Sequence, residues 1–92
     1  LVKLSGLEKE VLLYLKAALD RNVLDGVTAK EIAENIDEKL DAVIGACEKL
    51  DAINYGNIKK REVKKDRILG STIEITNEGI VYLQTQGLVN KD

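Results

Sequence analysis

Apolar residues at Leu7, Val11, Leu12, Leu15, Ala18 and Leu19 recur every three or four positions, which puts them on one face and predicts a helix over residues 7–20. Leu13 and Tyr14 widen that face beyond one core contact, leaving surface for the last helix or for a partner. Asp25-Gly26 reads as a turn. Thr28-Ala29-Lys30-Glu31 has the spacing of a capping box, in which the Thr28 hydroxyl accepts the N–H three residues on and Glu31 reaches back. Ile32, Ala33 and Ile36 then give a short helix over 29–35 its inward face. Asp37 is placed to cap a third helix over 38–50, with Leu40, Val43, Ile44, Cys47 and Leu50 inward. The two short helices meet through a tight turn that contains no glycine.

Past Asp51 the period changes. Ile53 and Tyr55 alternate, Gly56-Asn57 reads as a turn or bulge, and Ile73 and Ile75 alternate with Thr72, Glu74 and Thr76. A hairpin is expected between 58–65 and 71–76, with a bulge to reconcile the phases of Ile58 and Val63. Asn77 is placed to cap a last helix over 78–86 that carries Ile80, Val81 and Leu83 and ends at Gly87.

The order helix, helix, helix, hairpin, helix is that of a winged helix-turn-helix. The stretch from Thr28 to Gly79 resembles the MarR-like winged-helix regulators. Thr28-Ala29-Lys30-Glu31-Ile32-Ala33 is similar to the start of that family's second helix, and Glu48-Lys49-Leu50-Asp51-Ala52-Ile53 to the exit of its recognition helix into the wing. Asp66-Arg67, followed by Thr76-Asn77-Glu78-Gly79, is similar to its wing and the start of its next helix. The resemblance implies an α+β, mainly α domain: a three-helix bundle, a two- to three-stranded β wing over 53–76 and a C-terminal helix. It also implies that Arg67 sits at the wing tip and enters a DNA minor groove.

Composition narrows the classes. At 92 residues, 45% hydrophobic and 33% charged, the chain fits one globular domain with its own core. There is no His, Phe, Trp, Met or Pro, so the core is aliphatic, and the single Cys47 is expected to be a small buried hydrophobe. No His and one thiol leave no zinc set and no nucleophile–base pair, and no glycine-rich phosphate loop is present. The acids at Glu31, Glu34, Asp37, Glu38 and Asp41 read as partners of helix starts. A non-enzyme without metal or cofactor is expected. The longest apolar run, Val11 to Leu15, is far short of the roughly 20 residues of a membrane span. No signal-peptide pattern opens the sequence, so a cytoplasmic location is expected.

Charge is the informative feature. Residues 37–51 hold five acids (Asp37, Glu38, Asp41, Glu48, Asp51) against Lys39 and Lys49, a net of −3. Residues 53–70 hold six cations (Lys59, Lys60, Arg61, Lys64, Lys65, Arg67) against Glu62 and Asp66, a net of +4. Such a stripe binds phosphates even in a chain of net charge −2. The candidate DNA-binding residues are therefore Lys59, Lys60, Arg61, Lys64, Lys65 and Arg67, with Lys39 and Lys49 on the third helix. The same lysines also serve a solvated hairpin that resists edge-to-edge pairing.

The expected function is a transcriptional regulator contacting duplex DNA largely through its basic wing. RNA fits the same stripe. The alternative is a protein-interaction module whose acidic third helix docks a basic partner, with no nucleic-acid role. Gly45, beside Ala42 and Ala46, fits close approach by DNA, by a partner helix or by the second helix. The wide apolar faces of the first and last helices lead us to expect a homodimer.

Overall fold

Ser5 opens the first helix, α1 (Gly6–Asp20), one residue ahead of its apolar stripe. Its hydroxyl accepts the Glu8 N–H at 3.1 Å, and its own N–H donates to Glu8 Oε1 at 2.9 Å, so two of the backbone donors at this helix start are satisfied reciprocally. The computed structural model describes residues 3–60 and 71–90; the basic residues Arg61, Lys64, Lys65 and Arg67, and the expected strand beyond Lys60, lie outside the described residues. After α1 come α2 (Ala29–Ile36), α3 (Leu40–Ala52), β1 (Gly56–Lys60), β2 (Ser71–Ile75) and α4 (Asn77–Thr85). Among the described residues the fold is α+β and mainly helical, with a two-stranded antiparallel sheet. No helix there is long and apolar enough to cross a membrane.

Each of the four helices supplies a fully buried side chain to one core: Leu12, Ile32, Leu50 and Leu83. Ile73 and Ile75 of β2 complete it from the sheet side, as their alternation predicts. Leu13, Tyr14 and Leu19 are partly buried against that core, so the extra apolar width of α1 is taken up largely within the chain.

The helix ends follow one pattern. α1, α3 and α4 each close with a residue of positive φ, namely Asn22 (67°), Asn54 (67°) and Gly87 (73°). In each, the next N–H returns to the carbonyl five residues back: Val23 to Ala18, Tyr55 to Leu50 and Leu88 to Leu83, at 2.9–3.0 Å. These are Schellman closures, in which left-handed backbone lets terminal carbonyls find donors. α2 ends on left-handed Asp37 (φ 59°), which corrects the expectation that Asp37 caps the next helix. Asp37 makes the tight turn where a glycine is more common. The α3 cap position falls to Lys39, which gives no side-chain hydrogen bond, and the helix runs over 40–52 rather than 38–50.

Two further corrections concern the sheet. Gly56-Asn57 is not a turn but the start of β1, paired Gly56 to Ile75 and Asn57 to Glu74, while Ile53 and Tyr55 belong to the closure of α3. Val27, just past the turn at Gly26, forms an isolated bridge to Ile73 on the other edge of β2, through bonds of 3.0 and 2.8 Å. Since Ile73 spends its N–H and C=O on Val27, its pair Ile58 turns its own N–H to the outer edge of β1. There the Asp51 carboxylate accepts it at 3.2 Å. An acid on α3 thus occupies part of the free edge where another strand would add.

Thr76, not Asn77, caps α4, accepting the Gly79 N–H at 3.1 Å. Its hydroxyl also donates to the Asn54 carbonyl at 2.7 Å, and its N–H donates to the Tyr55 carbonyl at 3.0 Å. Gly79 is buried against this joint: a Cβ there would collide with the Tyr55 carbonyl oxygen and lie 2.9 Å from Ile75 Cγ1. Because the obstacle is backbone, it cannot swing aside. Gly79→Ala is therefore expected to destabilise the domain by about 1–3 kcal/mol, despite alanine's better helix propensity, in chemical denaturation.

Candidate functional site

The expected cations do not form one patch among the described residues. Lys39 and Lys49 lie at opposite ends of α3, about 15 Å apart along its axis. Lys49 Nζ is 3.8 Å from Glu8 Oε2, a loose pair with the carboxylate that caps α1. Lys59 stands on the outer face of β1, with Nζ 3.3 Å from Glu74 Oε2 on β2. Asn57 Nδ2 reaches the same oxygen at 3.5 Å. Exposed pairs of this kind are worth roughly 0–1 kcal/mol, so they lower the local charge without locking it. Lys60 ends the ladder opposite Ser71.

α3 has the clearer geometry. Its buried arc is Val43, Ala46, Cys47 and Leu50. Directly opposite by helical period stand Asp41, Gly45, Glu48 and Ala52, all exposed. Leu40 and Ile44, expected in the core, flank that strip and are 44% and 39% exposed. The correction has a steric reason: two stripes overlap on this helix, and the one holding the small Ala46 lets α3 approach its neighbours closely, which rotates the bulkier Leu40 and Ile44 outward. Gly45 faces open space, with nothing among the described residues within 4 Å of a Cβ placed there, so packing against α2 does not explain it.

Glu31 takes only half of its expected role. Thr28 accepts the Glu31 N–H at 3.1 Å, but the Glu31 carboxylate accepts the Tyr14 hydroxyl at 2.8 Å, tying α1 to α2. Arg21 lies 5.8 Å from the Tyr14 ring centroid. Burial and then the Glu31 bond push the Tyr14 hydroxyl above its ordinary pKa.

Tyr55 and Tyr82, with ring centroids 5.1 Å apart, line an open groove of about 370 Å³ along α4 with Asn77, Glu78, Val81 and Thr85. Its few polar groups belong to the helix surface. Among the described residues no three His, Cys, Asp or Glu converge to hold a metal ion. Comparison of the chain with protein-family models, curated proteins and solved structures finds no match.

Cys47 is 5% exposed, and burial, aided by the Glu48 charge, pushes its thiol from 9.0 to about 11. The unfolded chain therefore binds fewer protons than the native one between pH 9.0 and about 11. The Cys47 contribution to stability is complete below that window and is lost as pH rises through it. Denaturation at both ends of the window should show a steeper loss for the parent than for Cys47→Ala, and native labelling by a thiol reagent at neutral pH should be slow. At Gly45 the open space predicts the opposite of Gly79: Gly45→Ala should stabilise by about 0.5–1 kcal/mol, read from the denaturation midpoint.

Proposed function

We propose that the domain is a minimal winged-helix nucleic-acid-binding protein, acting as a transcriptional regulator that contacts duplex DNA through the β1–β2 ladder and the basic stretch joining its strands. The element order supports this, as does the Val27–Ile73 bridge, which puts a third, one-residue strand where a three-stranded wing sheet has one. The Thr76-to-Gly79 motif behind the family resemblance also has a structural task here, as cap and close-packing site.

The observation that carries the reading is the direction of the ladder. It starts at Gly56 and Ile75, beside α3 and α4, and ends at Lys60 and Ser71. In sequence, the stretch with Arg61, Lys64, Lys65 and Arg67 follows the end of β1 opposite the one beside α3 and α4. A polyanion approaching that end meets a net positive segment. One approaching the middle of α3 meets Asp41 and Glu48, so that part of α3 contributes no phosphate contacts and specificity falls to groove shape.

Anisotropy titrations of labelled duplex DNA, single-stranded DNA and RNA at two salt concentrations test this. Duplex is expected to bind best, with affinity falling as salt rises. Replacing Lys60, Lys64 and Lys65 by Ala should flatten the slope by about one unit for each lost phosphate contact. Glu74→Gln, by releasing Lys59, should strengthen binding. Arg67→Ala should hurt A·T-rich duplexes most. Absence of binding at low salt, or unchanged binding by the lysine variants, overturns the reading.

A further inference from the structure

We propose that the outward face of α3 is a docking surface for a basic amphipathic helix of another protein, a site separate from the nucleic-acid contact and independent of it. Three observations converge on the one face. Leu40 and Ile44, one turn apart, expose large apolar side chains although the core is complete without them. Asp41 and Glu48 stand beside them, and Asp37 and Glu38 precede the helix with Lys39 as the one cation among them, so the charge bordering the apolar pair is net negative. Along the helix between Asp41 and Glu48, Gly45 leaves a flat gap that nothing among the described residues fills. A glycine in the middle of an exposed helix face weakens that helix, and no contact within the described fold requires it. Close approach by a second helix does require it, since interaxial distance is set by the side chains at the crossing.

Charge selects the occupant. A second copy of this face would set Asp41 and Glu48 against their own kind, and DNA would set phosphates against them. A helix with leucines at three- and four-residue spacing, bordered by lysine or arginine, covers Leu40 and Ile44 and pairs with the acids.

The test uses the whole ¹⁵N-labelled chain and a synthetic helical peptide of leucine and lysine in that pattern, with a leucine–glutamate peptide as control. Saturable shifts confined to amides 40–52 are expected with the lysine peptide and none with the control. Ile44→Ser, Gly45→Leu and the double reversal Asp41→Lys/Glu48→Lys should each weaken binding by about tenfold or more, while circular dichroism stays that of the parent. The first two leave every charge in place, so they separate docking from mere attraction between opposite charges. Shifts spread over other acidic surfaces, or equal binding by the Gly45→Leu and Ile44→Ser variants, overturn the proposal. So does displacement of the peptide by duplex DNA with shifts at the same amides, which makes α3 a nucleic-acid face. Failure of the salt-dependent duplex titration leaves these readouts intact, so the two proposals fail separately.

Discussion

The structure turns on the contact between the Tyr55 carbonyl and Gly79. At that point the exit of α3, the first rung of the sheet and the first turn of α4 come within bonding distance of one another. Thr76 joins all three: it donates to Asn54 and Tyr55 and accepts from Gly79. The joint fixes the ladder register at its first pair, Gly56 with Ile75. A slip of one residue would turn Ile73 and Ile75 out of the core, so a local hydrogen-bonded corner protects a long-range hydrophobic pattern. It also holds α4 close enough for Leu83 and Tyr82 to be buried.

From that corner outward, the chain disposes of its polar backbone in ways that limit what its surface can do. Left-handed closures at Asn22, Asp37, Asn54 and Gly87 return the chain to the core after each helix without stranding carbonyls. Asp51 takes up the outward N–H of Ile58, and the exposed face of the ladder joins Lys59 to Glu74. Sheet edge and sheet face are thereby partly satisfied from within. The outward face of α3 is different: among the described residues Asp41, Glu48 and its two exposed aliphatics have no comparable internal task.

The sequence carried the kinds and order of the elements, because helical stripes and strand alternation are local signals. It carried the core less well where two stripes overlap. Leu40 and Ile44 lost to Ala46 because close packing between helices rewards small volume, which hydrophobicity alone does not register. Caps slipped by one residue where adjacent side chains are both competent, as at Thr76-Asn77; Asp37 showed that a residue fit for a start also tolerates the left-handed conformation of an end. The Ser5–Glu8 box, formed by reciprocal bonds, has the same spacing as Thr28–Glu31 and was missed because the apolar stripe that marks α1 begins only at Leu7. The pairs Lys59–Glu74 and Lys49–Glu8 were not legible, since their partners meet only through the register of β2 and the packing of α1 on α3.

Those pairs bear on how the charge of the chain is used. Counted along the sequence, the segments on either side of residue 52 differ sharply in sign, and each would repel the other's ligands if charge acted over the whole domain. At physiological ionic strength the Debye length is about 8 Å, shorter than α3 itself, so each surface is felt mainly by what touches it. Glu74 lowers the positive charge on the sheet face beside Lys59, and Glu8 lowers that beside Lys49 at the end of α3. Positive charge is thereby reduced near the helices, while Asp41 and Glu48 keep the middle of α3 negative. On the proposed reading, a polyanion is oriented as much by the surface that repels it as by the one that holds it. On that reading a domain of net charge −2 binds phosphate only if most of its acids stand off the contact; Asp41 and Glu48 belong to α3 and not to the basic stretch, whose own acids are Glu62 and Asp66 alone.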